Sequence, residues 1–98
     1  MDKSLKILSY NIGSNKYMSG LSQLLDIYQP SLIFLQEVLL TTEHLNSLLG
    51  PKYEGACNTD SEDPRKPGTA CIWDISMDVS VTNIVIGRCQ HLKFKNQL

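Results

Sequence analysis

Pro30-Ser31-Leu32-Ile33-Phe34-Leu35-Gln36-Glu37 is an unbroken apolar run, opened by a proline and closed by a carboxylate. A run this apolar needs cover on both faces, which is the pattern of a central strand in a helix-covered sheet. Working back from it, Leu21, Leu24, Leu25 and Tyr28 fall at i, i+3, i+4 and i+7, which predicts one apolar helical face. Pro30 ends that helix and pushes Gln29 toward extended geometry. Earlier still, Leu5-Lys6-Ile7-Leu8-Ser9-Tyr10-Asn11 reads as a first strand, followed by the polar turn Gly13-Ser14-Asn15. The opening is thus strand–helix–strand, which joins parallel strands by a crossover. Asn11 and Glu37 then emerge at the same carboxyl edge, where open α/β sheets place ligands.

Working forward, Thr41 and Thr42 are candidate N-caps of a second helix, with Glu43 near its positive end. Leu45, Leu48 and Leu49 form its apolar face, and Gly50-Pro51 stops it. Beyond Pro51 the pattern turns to β. Tyr53 to Cys57 and Thr69 to Trp73 read as strands flanking a polar loop from Asn58 to Gly68. Val79 to Ile86 is a strand broken near Asn83, and Gly87-Arg88 is a tight turn before Cys89 to Phe94. In that last strand Leu92 and Phe94 share one face, and His91, Lys93 and Lys95 the other. The expected fold is α/β: strand–helix–strand–helix followed by a β-meander. Ending on a strand with no closing helix leaves several apolar faces without a second layer, so the chain reads as a piece of something larger.

The 98 residues suit one small domain, and 42% apolar content suits a folded core. A formal net charge of −1 gives no global field to attract nucleic acid or anionic membrane, although a local patch or bound cation can still serve. Cys57, Cys71 and Cys89 are odd in number and lack a Cys-x-x-Cys pair, which argues against a zinc knuckle or a secreted disulfide framework. Buried reduced thiols are expected. Met1 to Ser4 leads into a strand without the apolar core of a signal peptide, and no apolar run reaches membrane-spanning length. The expected location is intracellular, with no membrane partner.

Several residues carry possible chemistry, each with a plainer alternative. Glu37 can hold Mg²⁺, which often takes only one or two carboxylates plus water and substrate phosphate; it can equally be a solvated strand-end glutamate. Asn11 can orient a phosphate oxygen or a neighbouring carboxylate, or simply build an Asx turn beside Gly13. Gly13-Ser14-Asn15-Lys16 lacks the rest of a phosphate loop. The loop Asp60-Ser61-Glu62-Asp63 has Arg65 where an EF-hand needs glycine and Cys71 where it needs glutamate. Arg65, Lys66 and Arg88 read as scattered surface cations, His44 and His91 as surface histidines, and Trp73 as core.

Leu5-Lys6-Ile7-Leu8-Ser9-Tyr10-Asn11-Ile12, a helix, then Pro30 through Glu37-Val38 resembles the start of the endonuclease/exonuclease/phosphatase family. These are metal-dependent phosphodiesterases with a deoxyribonuclease-I-like four-layer αββα sandwich. Tyr53-Glu54-Gly55-Ala56, Gly68-Thr69-Ala70-Cys71-Ile72-Trp73 and Gly87-Arg88-Cys89-Gln90 follow in the family's order. The Gly-Thr-Ala strand, Val81-Thr82-Asn83 and the Gly-Arg turn look most like the endonuclease domain of non-long-terminal-repeat retrotransposons. The resemblance implies that residues 1–98 form the amino-terminal part of such a domain. It implies Glu37 as a Mg²⁺ ligand, Asn11 as a catalytic-site residue beside metal and phosphate, DNA as partner, no small-molecule cofactor, and a nuclear location.

The family's Asp-x-Asn, Asn-x-Tyr and Ser-Asp-His motifs, which supply the groups that activate water, have no counterpart in these 98 residues. His44 and His91 do not match them. The expectation is therefore a catalytically incomplete endonuclease domain, with a non-catalytic fragment or interaction module as the alternative. Apolar residues such as Ile84, Ile86, Leu92 and Phe94 are expected to lie open on the sheet, together with an unpaired final strand, inviting self-association. With Mg²⁺ the purified chain should leave supercoiled plasmid intact; nicking abolished by both chelation and Glu37→Ala would overturn this.

Overall fold

Alternating apolar residues in strands and a 3.6-residue stripe in helices build two layers in the first half of the chain, and a third forms above them. The computed structural model describes residues 5–95; the expected lead-in from Met1 to Ser4 lies outside the described residues. The elements are β1 (Ile7–Asn11), α1 (Gly20–Tyr28), β2 (Leu32–Val38), α2 (Thr42–Leu48), β3 (Tyr53–Asn58), β4 (Gly68–Asp74), β5 (Val79–Val85) and β6 (Cys89–Phe94). They form a mixed α/β fold with two helices and two sheets. No helix among them is long and apolar enough to cross a membrane.

The larger sheet has the order β1-β2-β4-β3. As expected, β1 and β2 run parallel, in a register from Ile7 opposite Leu32 to Asn11 opposite Gln36. β4 then pairs antiparallel with β2, and β3 lies outside it. The second half is therefore not one continuous meander. β3 and β4 complete the first sheet, while β5 and β6 pair only with each other. The sequence pattern carries strand identity but not this order, because the choice of neighbour for β2 depends on which face each strand buries.

The central strands bury both faces. Ile33 and Leu35 of β2 join Ala70 and Ile72 of β4 in a core with Leu21, Leu25 and Leu45 from the helices. The intervening Leu32, Cys71 and Trp73 face the other way, where Val79, Val81, Leu92 and Phe94 of the hairpin cover them. Trp73 is core, as the sequence suggests. Each such aliphatic side chain contributes on the order of 1.5–3 kcal/mol through burial. The hairpin thus supplies part of the second layer expected to be missing. Leu92 and Phe94 are half-buried rather than open, and the final strand is paired along one side by β5. Ile84 and Ile86 are exposed as expected, at 60% and 57%. Ile84 sits at the irregularity between Asn83 and Val85, which takes it out of the inward alternation.

The helices depart from expectation in two details, the end of α1 and the exposure of Tyr28 and Leu48, and the structure chooses between the two expected caps of α2. Gln29 is left-handed rather than extended (φ 44°, ψ 57°), and its N–H donates to the Leu25 carbonyl at 3.1 Å, closing α1 before the proline. Tyr28 and Leu48 are exposed and do not extend the apolar faces. Below the end of α1 the space goes to Tyr53, whose hydroxyl donates to Pro30 O at 2.8 Å. Thr41, not Thr42, caps α2 by accepting from the His44 N–H at 3.1 Å.

Of the three cysteines, Cys57 and Cys71 are buried, whereas Cys89 is exposed because it opens β6 on the solvent face. Burial raises the Cys57 thiol to about 11, with a smaller push from Glu43. It raises Cys71 to about 12, against a lowering hydrogen bond to Ala56 and with a further push from Cys57. In the unfolded chain these thiols ionise near 9.0. Their contribution to stability is therefore full below pH 9 and is lost as pH rises toward the folded values. Unfolding free energy should fall across that alkaline window, and less so in Cys71→Ala. A thiol reagent at neutral pH should modify Cys89 alone until denaturant is added; rapid reaction of all three would contradict the burial.

Candidate functional site

Strict alternation along β2 would send Glu37 to the helix-side core with Ile33 and Leu35. A β-bulge prevents this. Gln36 pairs with Thr69 and Val38 with Gly68, leaving Glu37 as the extra residue. Val38 takes the buried place, with no exposed surface, and the Glu37 side chain is exposed. The bulge puts Glu37 at φ 55°, in the left-handed region. That costs a non-glycine residue on the order of 1–3 kcal/mol. Burying an unpaired carboxylate would cost several kcal/mol, so the strained backbone wins. Glycine would occupy this conformation without strain, so the site keeps a carboxylate where the backbone does not favour one. As expected, Glu37 lies close to the carboxyl end of its strand, one residue before the end of β2, though Val38 beyond it returns to the core.

Asn11 meets Glu37 directly. Its Nδ2 donates to Glu37 Oε2 at 2.7 Å, while its Oδ1 accepts from the Gly13 N–H at 2.8 Å. Both expectations for Asn11 hold together: one side-chain amide builds the Asx turn and orients the carboxylate. The expected turn after β1 is wound left-handed through Gly13, Ser14 and Asn15 (φ 56°, 54° and 75°). It is tied to the end of β2. Ile12 N–H donates to Gln36 O at 3.0 Å and Ser14 N–H to Glu37 O at 2.9 Å. Asn15 holds the next segment from both sides, accepting from Leu39 N–H at 3.1 Å and donating to Leu39 O at 3.2 Å. The bulge is thereby braced from β1.

Beside the pair lies a groove of about 350 Å³ lined by Gln36, Glu37, Lys66, Pro67, Gly68, Thr69, Gly87 and Arg88. Two cations that read as scattered in the sequence thus share a groove with the carboxylate. Arg65, His44 and His91 are not among its lining residues, and both histidines are exposed. Among the described residues, no three His, Cys, Asp or Glu come together. A divalent ion here would have one protein carboxylate. That suits Mg²⁺, which accepts one carboxylate with water and phosphate oxygens, and not Zn²⁺, which wants three or four protein ligands.

Sequence reasoning missed Asn58, assigned there to a polar loop. It ends β3 with no exposed surface. Its Nδ2 donates to Val85 O at 2.9 Å and Cys89 O at 3.0 Å, and its Oδ1 accepts from Gly87 N–H at 3.1 Å. This single amide fastens the β5–β6 turn to the first sheet. Gly87 is left-handed at φ 72°. A Cβ on Gly68 would collide with the Asn58 carbonyl, so the glycine before Thr69 is what lets the two segments approach. Gln90 strengthens the junction, donating to Ala56 O at 3.1 Å and accepting from the Thr69 hydroxyl at 3.3 Å. The only sequence signal was Asn58 standing directly after an apolar strand.

Compared with protein-family models and with curated proteins, the chain matches none.

Asn58→Ala should remove the acceptor of the Gly87 N–H and the amide donor to the Cys89 and Val85 carbonyls, of which Val85 O keeps the Arg88 N–H, and cost roughly 2 kcal/mol. Chemical denaturation measures it, and a loss below about 1 kcal/mol would show the clamp to be dispensable.

Proposed function

We propose that the Asn11–Glu37 edge holds a divalent cation, Mg²⁺, against a phosphodiester, as in the endonuclease/exonuclease/phosphatase domains whose opening strands the sequence resembles. The observation that carries this reading is the 2.7 Å contact between Asn11 Nδ2 and Glu37 Oε2 at the carboxyl edge of a parallel strand pair. The left-handed backbone at Glu37 supports it, because strain retained around a functional group is a feature of ligand sites.

In this reading Glu37 ligates the ion through its carboxylate and Asn11 fixes the carboxylate's orientation by holding Oε2. Bound Mg²⁺ would supply Lewis-acid stabilisation of charge on a phosphate oxygen. The family's four-layer sandwich belongs to the same proposal, with the helices and the first sheet as two of its layers and the β5–β6 hairpin as part of the third. DNA is the phosphodiester proposed by resemblance, with the nucleus as its place of action. His44 and His91 lie outside the groove lining, so no described histidine is positioned there to activate water. Binding without appreciable turnover is the expected behaviour of this chain.

A second reading, a non-catalytic interaction module, is favoured by the consecutive exposed Ile84, Val85 and Ile86. The two readings predict different responses to metal. Mn²⁺ titration, followed by amide NMR, should broaden signals around Ile12, Gln36, Glu37 and Val38, and Glu37→Gln should abolish the effect. Broadening confined to the acidic loop Asp60 to Asp63, or unchanged in Glu37→Gln, would refute the cation site.

A further inference from the structure

Lys66 and Arg88 come from different connections, yet the segments that follow the one and precede the other abut. Lys66 closes a turn in which its N–H donates to Asp63 O at 3.1 Å. Arg88 follows Gly87 in the β5–β6 turn, where its own N–H donates to Val85 O at 2.9 Å. The two segments abut: a Cβ on Gly87 would lie 3.8 Å from Pro67 O and 3.9 Å from Gly68 Cα. Buried Asn58 holds the Arg88 turn in this place through three hydrogen bonds. A fully buried amide thus fixes the exposed turn that bears one cation, and both cations line the same groove. Two like charges lining one groove favour an anion there over a cation.

We infer that Lys66 and Arg88 form a phosphate-ester subsite on the groove wall beside Glu37, with Asn58 as the residue that positions Arg88. Arg88 is the stronger anchor, because a guanidinium donates to phosphate in two parallel hydrogen bonds. Lys66 also borders a second cleft lined by Glu43 and Asp60, which competes for its charge. The subsite rests on the groove reading above but binds its anion without a metal ion, since both recognising groups carry their own charge. Glu37 opposes it when no cation is present.

The test is fluorescence anisotropy of a labelled single-stranded oligodeoxythymidylate with the full chain in EDTA, across a salt series. Each phosphate contact on a single strand contributes roughly 0.7 to the slope of log affinity against log salt. Arg88→Gln should weaken binding about tenfold at low salt and flatten the slope by roughly that increment. Lys66→Gln should do the same to a smaller extent. Glu37→Gln should tighten binding in EDTA, and Lys52→Gln, on an exposed position outside the groove lining, should change nothing.

Inorganic phosphate, titrated separately, should shift the Gly87 and Arg88 amide signals. A much tighter oligonucleotide would identify a polymer backbone as the ligand, and equal affinity a lone phosphate group. Absence of saturable binding in EDTA, or an unchanged salt slope in Arg88→Gln, overturns the subsite. The Mn²⁺ titration decides the metal reading separately, so either can fail while the other stands.

Discussion

The backbone of Glu37 is forced into the left-handed region by a conflict between alternation and charge. Two adjacent residues, one a carboxylate and one a valine, compete for a single inward position at the end of β2. The valine takes it, and the strand must accommodate one extra residue. Everything around the groove follows from that. The bulge brings the carboxylate to the face of Asn11, it offsets β2 against the start of β4, and it needs the left-handed turn after β1 to hold its carbonyl groups. Were alternation kept, the sheet would be more regular and the core would contain a charge.

The second constraint is the attachment of the hairpin. A two-stranded ribbon alone is marginally stable in water, so β5 and β6 must gain their stability from the sheet beneath. They do so differently at their two ends. Val79, Val81, Leu92 and Phe94 bury apolar surface against Leu32, Cys71 and Trp73. At the turn end the contact is polar, made by Asn58, Thr69, Asn83 and Gln90. The apolar end is non-directional, whereas the amide bonds fix the position of the turn. That division explains why the cationic turn has a defined place, while Ile84 to Ile86 beside it stay open to solvent.

Thiol placement follows the same logic of faces. Cys57 and Cys71 lie on neighbouring strands but belong to opposite faces of the sheet, one in each core. Both are held protonated by burial. Their proximity in the strand register therefore implies no disulfide, and they act as small apolar side chains.

By itself the sequence determined the strand–helix–strand opening, the parallel pairing and the meeting of Asn11 with Glu37. All three rest on local signals: a period of 3.6, a double-sided apolar run, a proline stop, and a short crossover that leaves one arrangement. It also determined that Leu92 and Phe94 share one face and that Trp73 is core, while the cover over that shared face came only from the structure. Only the tertiary structure decided the insertion of β4 between β2 and β3, the separate hairpin, the exposure of Tyr28, Leu48 and Cys89, and the left-handed end of α1 at Gln29. It alone showed the bulge at Glu37 and the burial of Asn58. The physical reason is common to these. Each is settled by competition among residues distant in the chain for the same buried place or the same hydrogen bond, and periodicity contains no term for that competition. Lys66 and Arg88 show it most plainly: 22 positions apart in the sequence, they share one groove because a buried asparagine holds one turn against the other.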